Sequence, residues 1–200
     1  GPVELINGKS ELLIDGSTST DKNALIGTWR ADRNSEYTIT GKDAGLFAVD
    51  QSGAVKIKKA EGLTPGKSYE IEITASDATT GQKTSQQVNI SKRALIMVIN
   101  DKGDSSKGSI GWAIEQANIN GVKGIASEIQ FSKSMTIKST GALQLLNGNT
   151  TINTDNPKNI AITRTNNGPC FIIGEYKYAN QNNVDTQPDL KTVLNQISIF

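Results

Sequence analysis

Histidine is absent from the 200 residues, and cysteine occurs once, at Cys170. The first absence removes the commonest general base and the commonest transition-metal ligand. The second rules out an intrachain disulfide and leaves a thiol with no imidazole to activate it. Pro169-Cys170-Phe171-Ile172-Ile173 reads as the head of an apolar strand, so the thiol is expected to be buried and inert. Aromatic residues make up only 5%, and no run approaches the ~18 apolar residues of a membrane span. Charge of one sign is lacking too. With 21 Lys+Arg against 20 Asp+Glu the net charge is +1, which gives nucleic acid or an anionic membrane no electrostatic hold. A basic-apolar signal peptide is missing. Gly1-Pro2 without methionine reads as a protease scar, and Ile197-Ser198-Ile199-Phe200 stops inside a strand pattern, so an excised fragment is expected.

What is plentiful is glycine (19 residues), asparagine, serine and threonine, beside a hydrophobic content of 36%. That balance suits all-β architecture, in which many short strands each bury one face and tight turns join them. From about residue 10 to 92 the pattern alternates with period 2. In Tyr69-Glu70-Ile71-Glu72-Ile73-Thr74-Ala75 the apolar residues face one way and Glu, Glu and Thr the other; Val55 and Ile57 alternate with Lys56 and Lys58. Turns fall at Asp50-Gln51-Ser52-Gly53, Leu63-Thr64-Pro65-Gly66-Lys67 and Asp77-Ala78-Thr79-Thr80-Gly81. About seven strands at this spacing predict a β-sandwich.

Three segments of it run in an informative order: Trp29-Arg30-Ala31-Asp32-Arg33-Asn34-Ser35-Glu36-Tyr37-Thr38-Ile39, Ala44–Val55 with Phe47-Ala48-Val49-Asp50, and Tyr69–Asp77 ending Ala75-Ser76-Asp77. They resemble the cadherin repeat over residues 12–91. The resemblance implies a cadherin/Ig-like β-sandwich, and it makes Asp32, Asn34 and Asp77 matches to calcium-ligand positions. The family's other calcium segments have no counterpart: Glu61-Gly62-Leu63-Thr64 and the cationic Ser91-Lys92-Arg93-Ala94 stand in their places. A hard cation needs six to eight oxygens at one locus. The expectation is therefore turn-forming Asp and Asn whose side chains bond local backbone, with no cofactor and no metal.

Ser91-Lys92-Arg93 marks the predicted boundary between a sandwich over 3–92 and a second domain over 94–200, with a defined contact across so short a tether. The second domain opens on Ala94-Leu95-Ile96-Met97-Val98-Ile99 and then on the clearest helical signal in the chain, Lys107–Gly121. Ile110, Ala113, Ile114 and Ala117 form one apolar stripe, Ser109 can cap the start, and Gly121 suits the end. Trp112 lies off the stripe and is expected to pack against the neighbouring sandwich. Beyond the helix, strand centres recur: Ile129 and Ile152, and likewise Ile137 and Ile160, are 23 residues apart. A period of 20-odd residues predicts stacked coils, with the helix as a lid on their open end.

Val98-Ile99-Asn100-Asp101, Gly108–Asn118 and Glu128-Ile129-Gln130-Phe131 resemble the N-terminal start of a right-handed parallel β-helix. Large bacterial surface adhesins and polymorphic autotransporter-like passengers begin in this way. The resemblance implies a β-helix fragment with an N-terminal capping α-helix, and says little about function, because such folds carry adhesins, lyases and glycosidases alike.

A glycoside-cleaving coil needs two carboxylates at a set separation. The acids of the second half, Glu128, Asp155, Glu175, Asp185 and Asp189, show no i, i+2 pairing, so no catalytic residue is assigned. The Gly174–Asp189 insert reads as a projecting loop in which Tyr176, Tyr178, Asn180 and Asn182 suit adaptable recognition of sugars or proteins. The expected protein is a non-catalytic, structural and adhesive region of a bacterial cell-surface or secreted protein. Its expected partner is a host or neighbouring-cell surface protein or glycan; contact with nucleic acid or membrane is not expected, and the fragment is expected to be monomeric. The alternative is the N-terminal part of a carbohydrate-active β-helix enzyme or an attached sugar-binding module.

Overall fold

The computed structural model describes residues 1–16, 23–59, 62–139, 141 and 143–164, together with the strand segments 171–173, 184–185, 193–194 and 197–199. The chain divides into two compact units, Gly1–Lys92 and Arg93–Phe200. Among the described residues no helix is long and apolar enough to cross a membrane.

Alternation builds the first unit. Its strands are β1 (Glu11–Ile14), β2 (Leu25–Thr28), β3 (Ser35–Thr40), β4 (Phe47–Val49), β5 (Ala54–Ile57), β6 (Ser68–Asp77) and β7 (Lys83–Lys92). They form two sheets, ordered β1-β7-β6-β3 and β2-β5-β4. Tyr69, Ile71, Ile73 and Ala75 of β6 are buried while Glu70 is exposed. Val55 and Ile57 of β5 are buried around an exposed Lys56. The inward faces of both sheets meet in one core containing Phe47, Val55, Ile57, Ile71, Ile73, Val88 and Ile90, so this unit is a β-sandwich. β1 runs parallel to β7, whereas the remaining pairings are antiparallel.

Trp29 is the largest side chain in that core and is 2% exposed, its indole Nε1 donating to the Lys9 carbonyl at 3.3 Å. Gly53 makes room for the chain beside it. The residue takes φ +82°, and a Cβ there would come within 2.0 Å of the Trp29 carbonyl oxygen. Only glycine satisfies both demands.

The second unit is organised differently. Its elements are β8 (Ala94–Val98), α1 (Ile110–Val122), β9 (Ser127–Phe131), β10 (Met135–Ser139), β11 (Leu143–Leu145), β12 (Thr150–Ile152), β13 (Ile160–Arg164), β14 (Phe171–Ile173), β15 (Val184–Asp185), β16 (Val193–Leu194) and β17 (Ile197–Ile199). They make three sheets, ordered β16-β12-β9-β8, β10-β13-β17 and β11-β14-β15. The described pairings within them are parallel. β9, β10 and β11 enter three different sheets, and β12, β13 and β14 return to the same three in the same order. Their inward residues, among them Ile129, Ile137, Leu145, Ile152 and Ile162, share one core.

Register follows the 23-residue spacing in one sheet and departs from it in the next. Ile152 pairs with Ile129, but Ile160 pairs with Met135 and Ile162 with Ile137. The connection from β12 to β13 holds more residues than that from β9 to β10, and Asn153 and Asn156 turn the chain within it at φ values of 60° and 49°. Asn153 holds this longer turn shut: its Nδ2 donates to the Lys158 carbonyl at 2.8 Å and its Oδ1 accepts from the Lys158 amide at 2.9 Å. A shift of two residues preserves side-chain parity, so the apolar faces still point inward.

In α1, Ser109 accepts from the Trp112 amide at 3.4 Å as the N-cap, and Ile110, Ala113, Ile114 and Ala117 are buried in the core that holds Ile129 and Ile137. Trp112 packs against the core of its own unit. One expectation needs correction. Gly121 lies inside the helix and does not end it: a Cβ there would sit 2.9 Å from Cβ of Asn147, so close packing requires the glycine. The chain leaves the helix through Gly124, at φ +74°.

Candidate functional site

The polar residues singled out in the sandwich converge on one end of it. Asp77 closes β6 and starts a turn: its Oδ1 accepts from the Thr79 amide at 2.8 Å and from the Thr80 amide at 3.3 Å, while Gly81 bonds back to its carbonyl. The Asn34 carbonyl accepts from the Ala78 amide at 3.0 Å, which joins this turn to the one preceding β3. Asp32 accepts from the Glu4 amide at 3.2 Å.

Between the two carboxylates lies Arg33. Its Nε and Nη2 reach the two oxygens of Asp32, each at 3.1 Å, and its Nη1 stands 3.6 Å from Asp77 Oδ2. The same guanidinium donates to the carbonyls of Gly1 at 2.9 Å and Pro2 at 3.1 Å. This planar fork engages two carboxylates and two carbonyls at once. Hydrogen bonding to Arg33, then to the Glu4 amide, holds Asp32 below the usual carboxylate range. Asp77 is lowered first by the Thr79 amide, with burial acting in the opposite direction. The Arg33 guanidinium is raised, chiefly by Asp32. Asp77 is thus tied to its own turn, and Asp32 to a cation the chain supplies. Arg33 is the residue that the sequence pattern did not single out; its place between two acidic positions was the available signal. Among the described residues no group of three or more His, Cys, Asp or Glu side chains could hold a metal ion. Beside Arg33 opens a shallow cleft of about 360 Å³ lined by Arg30, Asn34, Tyr37, Gln51 and Ser52. The Tyr37 hydroxyl there accepts from the Ala31 amide at 2.8 Å.

In the second unit, asparagine side chains fasten α1 to the strands. Asn118 donates to the Gln144 carbonyl at 3.0 Å and accepts from the amides of Leu146 at 2.8 Å and Asn147 at 3.4 Å. Asn147 Nδ2 donates to the carbonyls of Ala117 at 3.0 Å and Ile125 at 2.9 Å. Sequence reading missed this role of Asn147, since bonds between distant side chains and backbone leave no periodic signature. Next to these residues is an open groove of about 500 Å³ where Ile119, Val122 and Leu146 are exposed.

Glu128 is buried on β9, accepts from Gln130 Nε2 at 2.8 Å, and has Leu95 and Thr151 as register partners on its two sides. Asp155 is exposed in the turn after β12. Asp185 lies on β15, whose backbone pairs with β14. Glu175 and Asp189 lie outside the described residues, as do Cys170 and the four proposed ligand-binding residues Tyr176, Tyr178, Asn180 and Asn182.

No family model matches the chain, and no curated protein matches it. Among solved structures the chain is similar to Drosophila N-cadherin EC1-3, with 27% identity and a TM-score of 0.39, over 46% of this chain and 34% of that one. It is similar to Drosophila N-cadherin EC1-4 at 22% identity and a TM-score of 0.38, over 52% of this chain and 30% of that one. Human Protocadherin-24 EC1-2 matches at 16% identity and a TM-score of 0.37, over 50% of this chain and 52% of that one. The chain therefore spans between 30% and 52% of the length of these structures.

Proposed function

We propose that this chain is a non-catalytic, structural and adhesive region of a bacterial cell-surface or secreted protein. In this reading a cadherin-like sandwich precedes the first coils of a right-handed parallel β-helix, with α1 as the cap on their open end. The observation that carries it is the return of successive strands, in the same order, to three parallel sheets around one core. Units stacked in this way rest only on their neighbours, so the stack extends as a stiff rod and displays its connecting loops on the outside. A rod that projects loops suits attachment to a protein or glycan on a host or neighbouring cell.

The acid chemistry supports the non-catalytic part of the reading. Glu128 is buried beside Gln130, and Asp155 occupies an exposed turn. Retaining and inverting hydrolysis both require two carboxyl groups flanking one bond. The test is a paired assay of the 200-residue chain. Immobilised chain should capture a glycan or surface protein from an array, and should turn over nothing in a panel of pectin, alginate and host glycans. Turnover abolished by Glu128→Gln or Asp155→Asn would contradict this function and favour the carbohydrate-active enzyme.

A further inference from the structure

Asn7-Gly8, Asn120-Gly121 and Asn147-Gly148 are Asn-Gly dipeptides within the described residues. An asparagine followed by glycine carries its own reaction. The glycine backbone nitrogen attacks the asparagine Cγ, the bond from Cγ to the side-chain nitrogen breaks, and ammonia leaves as a five-membered succinimide closes. Water then opens the ring at either carbonyl, giving aspartate or isoaspartate. Nothing is oxidised or reduced, and glycine favours the attack because it has no Cβ to obstruct it.

At Asn147 the structure joins this reaction to the fastening of α1. The residue is 7% exposed, and its Nδ2 spends both protons on the carbonyls of Ala117 and Ile125, at 3.0 and 2.9 Å. Its Oδ1 accepts from the Asn149 amide at 3.1 Å, which fixes which way the amide points. Ala117 belongs to the buried stripe of the helix, and Ile125 lies just past its end, so one side chain grips both sides of the last turn. An ionised aspartate has acceptors only. In this position it would forfeit both bonds and set a buried negative charge against two carbonyl oxygens, an arrangement folded proteins avoid. Isoaspartate would add a backbone carbon to the same connection.

We propose that Asn147-Gly148 is a deamidation site gated by α1. While the helix is seated, its grip on the Asn147 amide suppresses the reaction. Local opening permits it, and the product can no longer fasten the helix, so the change runs one way. Asn7-Gly8 supplies the internal comparison, because Asn7 is exposed, with its Oδ1 accepting from the Arg30 amide at 2.7 Å.

The 200-residue chain, aged near neutral pH and mapped by mass spectrometry for the one-dalton gain and for isoaspartate, tests the proposal. In denaturant, positions 7 and 147 should react at comparable rates. In the folded chain, position 147 should lag position 7 by at least about ten-fold, as expected for a reaction that waits on local opening. Ile114→Asp should restore the rate at 147 and leave that at 7 unchanged. Hydrogen exchange across Ile110–Val122 should accelerate in Asn147→Asp; should that variant not fold, the deamidated fraction of aged wild-type chain gives the same readout. Gly148→Ala, which slows ring closure, should keep α1 protected on ageing. Equal folded-state rates at 7 and 147, or unchanged exchange across α1 after conversion, would overturn the proposal.

Discussion

Two carboxylates that converge on one end of a sandwich repel each other unless a positive charge stands between them, and Arg33 provides that charge for Asp32 and Asp77. Both acids have lowered folded pKa values, Asp32 chiefly through Arg33 and Asp77 chiefly through the Thr79 amide. A lowered carboxylate contributes stability that is fully present above its unfolded value and is lost as pH falls through its folded value. The melting temperature of the sandwich should therefore hold steady down to about pH 5 and decline below about pH 4. Asp77→Asn should flatten that acid limb. An acid limb of unchanged steepness in this variant would show that Asp77 contributes nothing through its charge.

The same geometry bears on calcium at this end of the sandwich. A divalent ion would have to displace a guanidinium already bonded to Asp32 and to two backbone carbonyls. Thermal melts in calcium and in chelator should coincide. A chelator-induced drop of more than about 5 °C, the shift expected from roughly 1 kcal/mol in a domain of this size, would contradict the assignment. Asp32, Asn34 and Asp77 were singled out by the resemblance to the cadherin repeat, and were expected to bond local backbone. Arg33 was harder to read, because a side chain between two acids points to their common neighbour only once the turn brings them together.

Among the elements, α1 was the most legible and its fastening the least. Ile110, Ala113, Ile114 and Ala117 follow helical spacing, and each is buried. Ile114→Asp would bury an unpaired carboxylate in the shared core, and should cost about 3 kcal/mol or more in the second unit while the sandwich keeps its own melt. Hydrogen exchange resolved by segment separates the two units. Glu115→Ala, at an exposed position, should change stability by no more than about 0.5 kcal/mol. A second unit that tolerates Ile114→Asp unchanged would mean that α1 does not cover the core. Asn118, Asn147 and Asn153 escaped a reading based on periodicity. Each works through bonds from its side chain to distant or looping backbone, and composition alone offers only that asparagine is common in turns.

For the whole molecule, alternation predicted the sandwich strands, because one face of each must be buried and the period of 2 records which. Recurrence was a weaker guide in the second unit. It matched Ile129 with Ile152 correctly, yet it matched Ile137 with Ile160, whereas the sheet pairs Ile137 with Ile162. Both registers keep apolar residues inward, so hydrophobic pattern could not separate them; the extra residues of the β12–β13 connection, turned at the left-handed Asn153 and Asn156, decide it. The account rests on this stacking, and a disulfide reads it directly. Thr136 and Ala161 are register partners on β10 and β13, and partners on neighbouring strands lie about 4.8 Å apart, inside the span a disulfide bridges. With Cys170 replaced by serine, Thr136→Cys combined with Ala161→Cys should oxidise readily to an intramolecular bond. Thr136→Cys combined with Asn159→Cys should cross-link poorly. Efficient closure of the second pair but not the first would contradict the register, and closure of neither would contradict the parallel stacking itself.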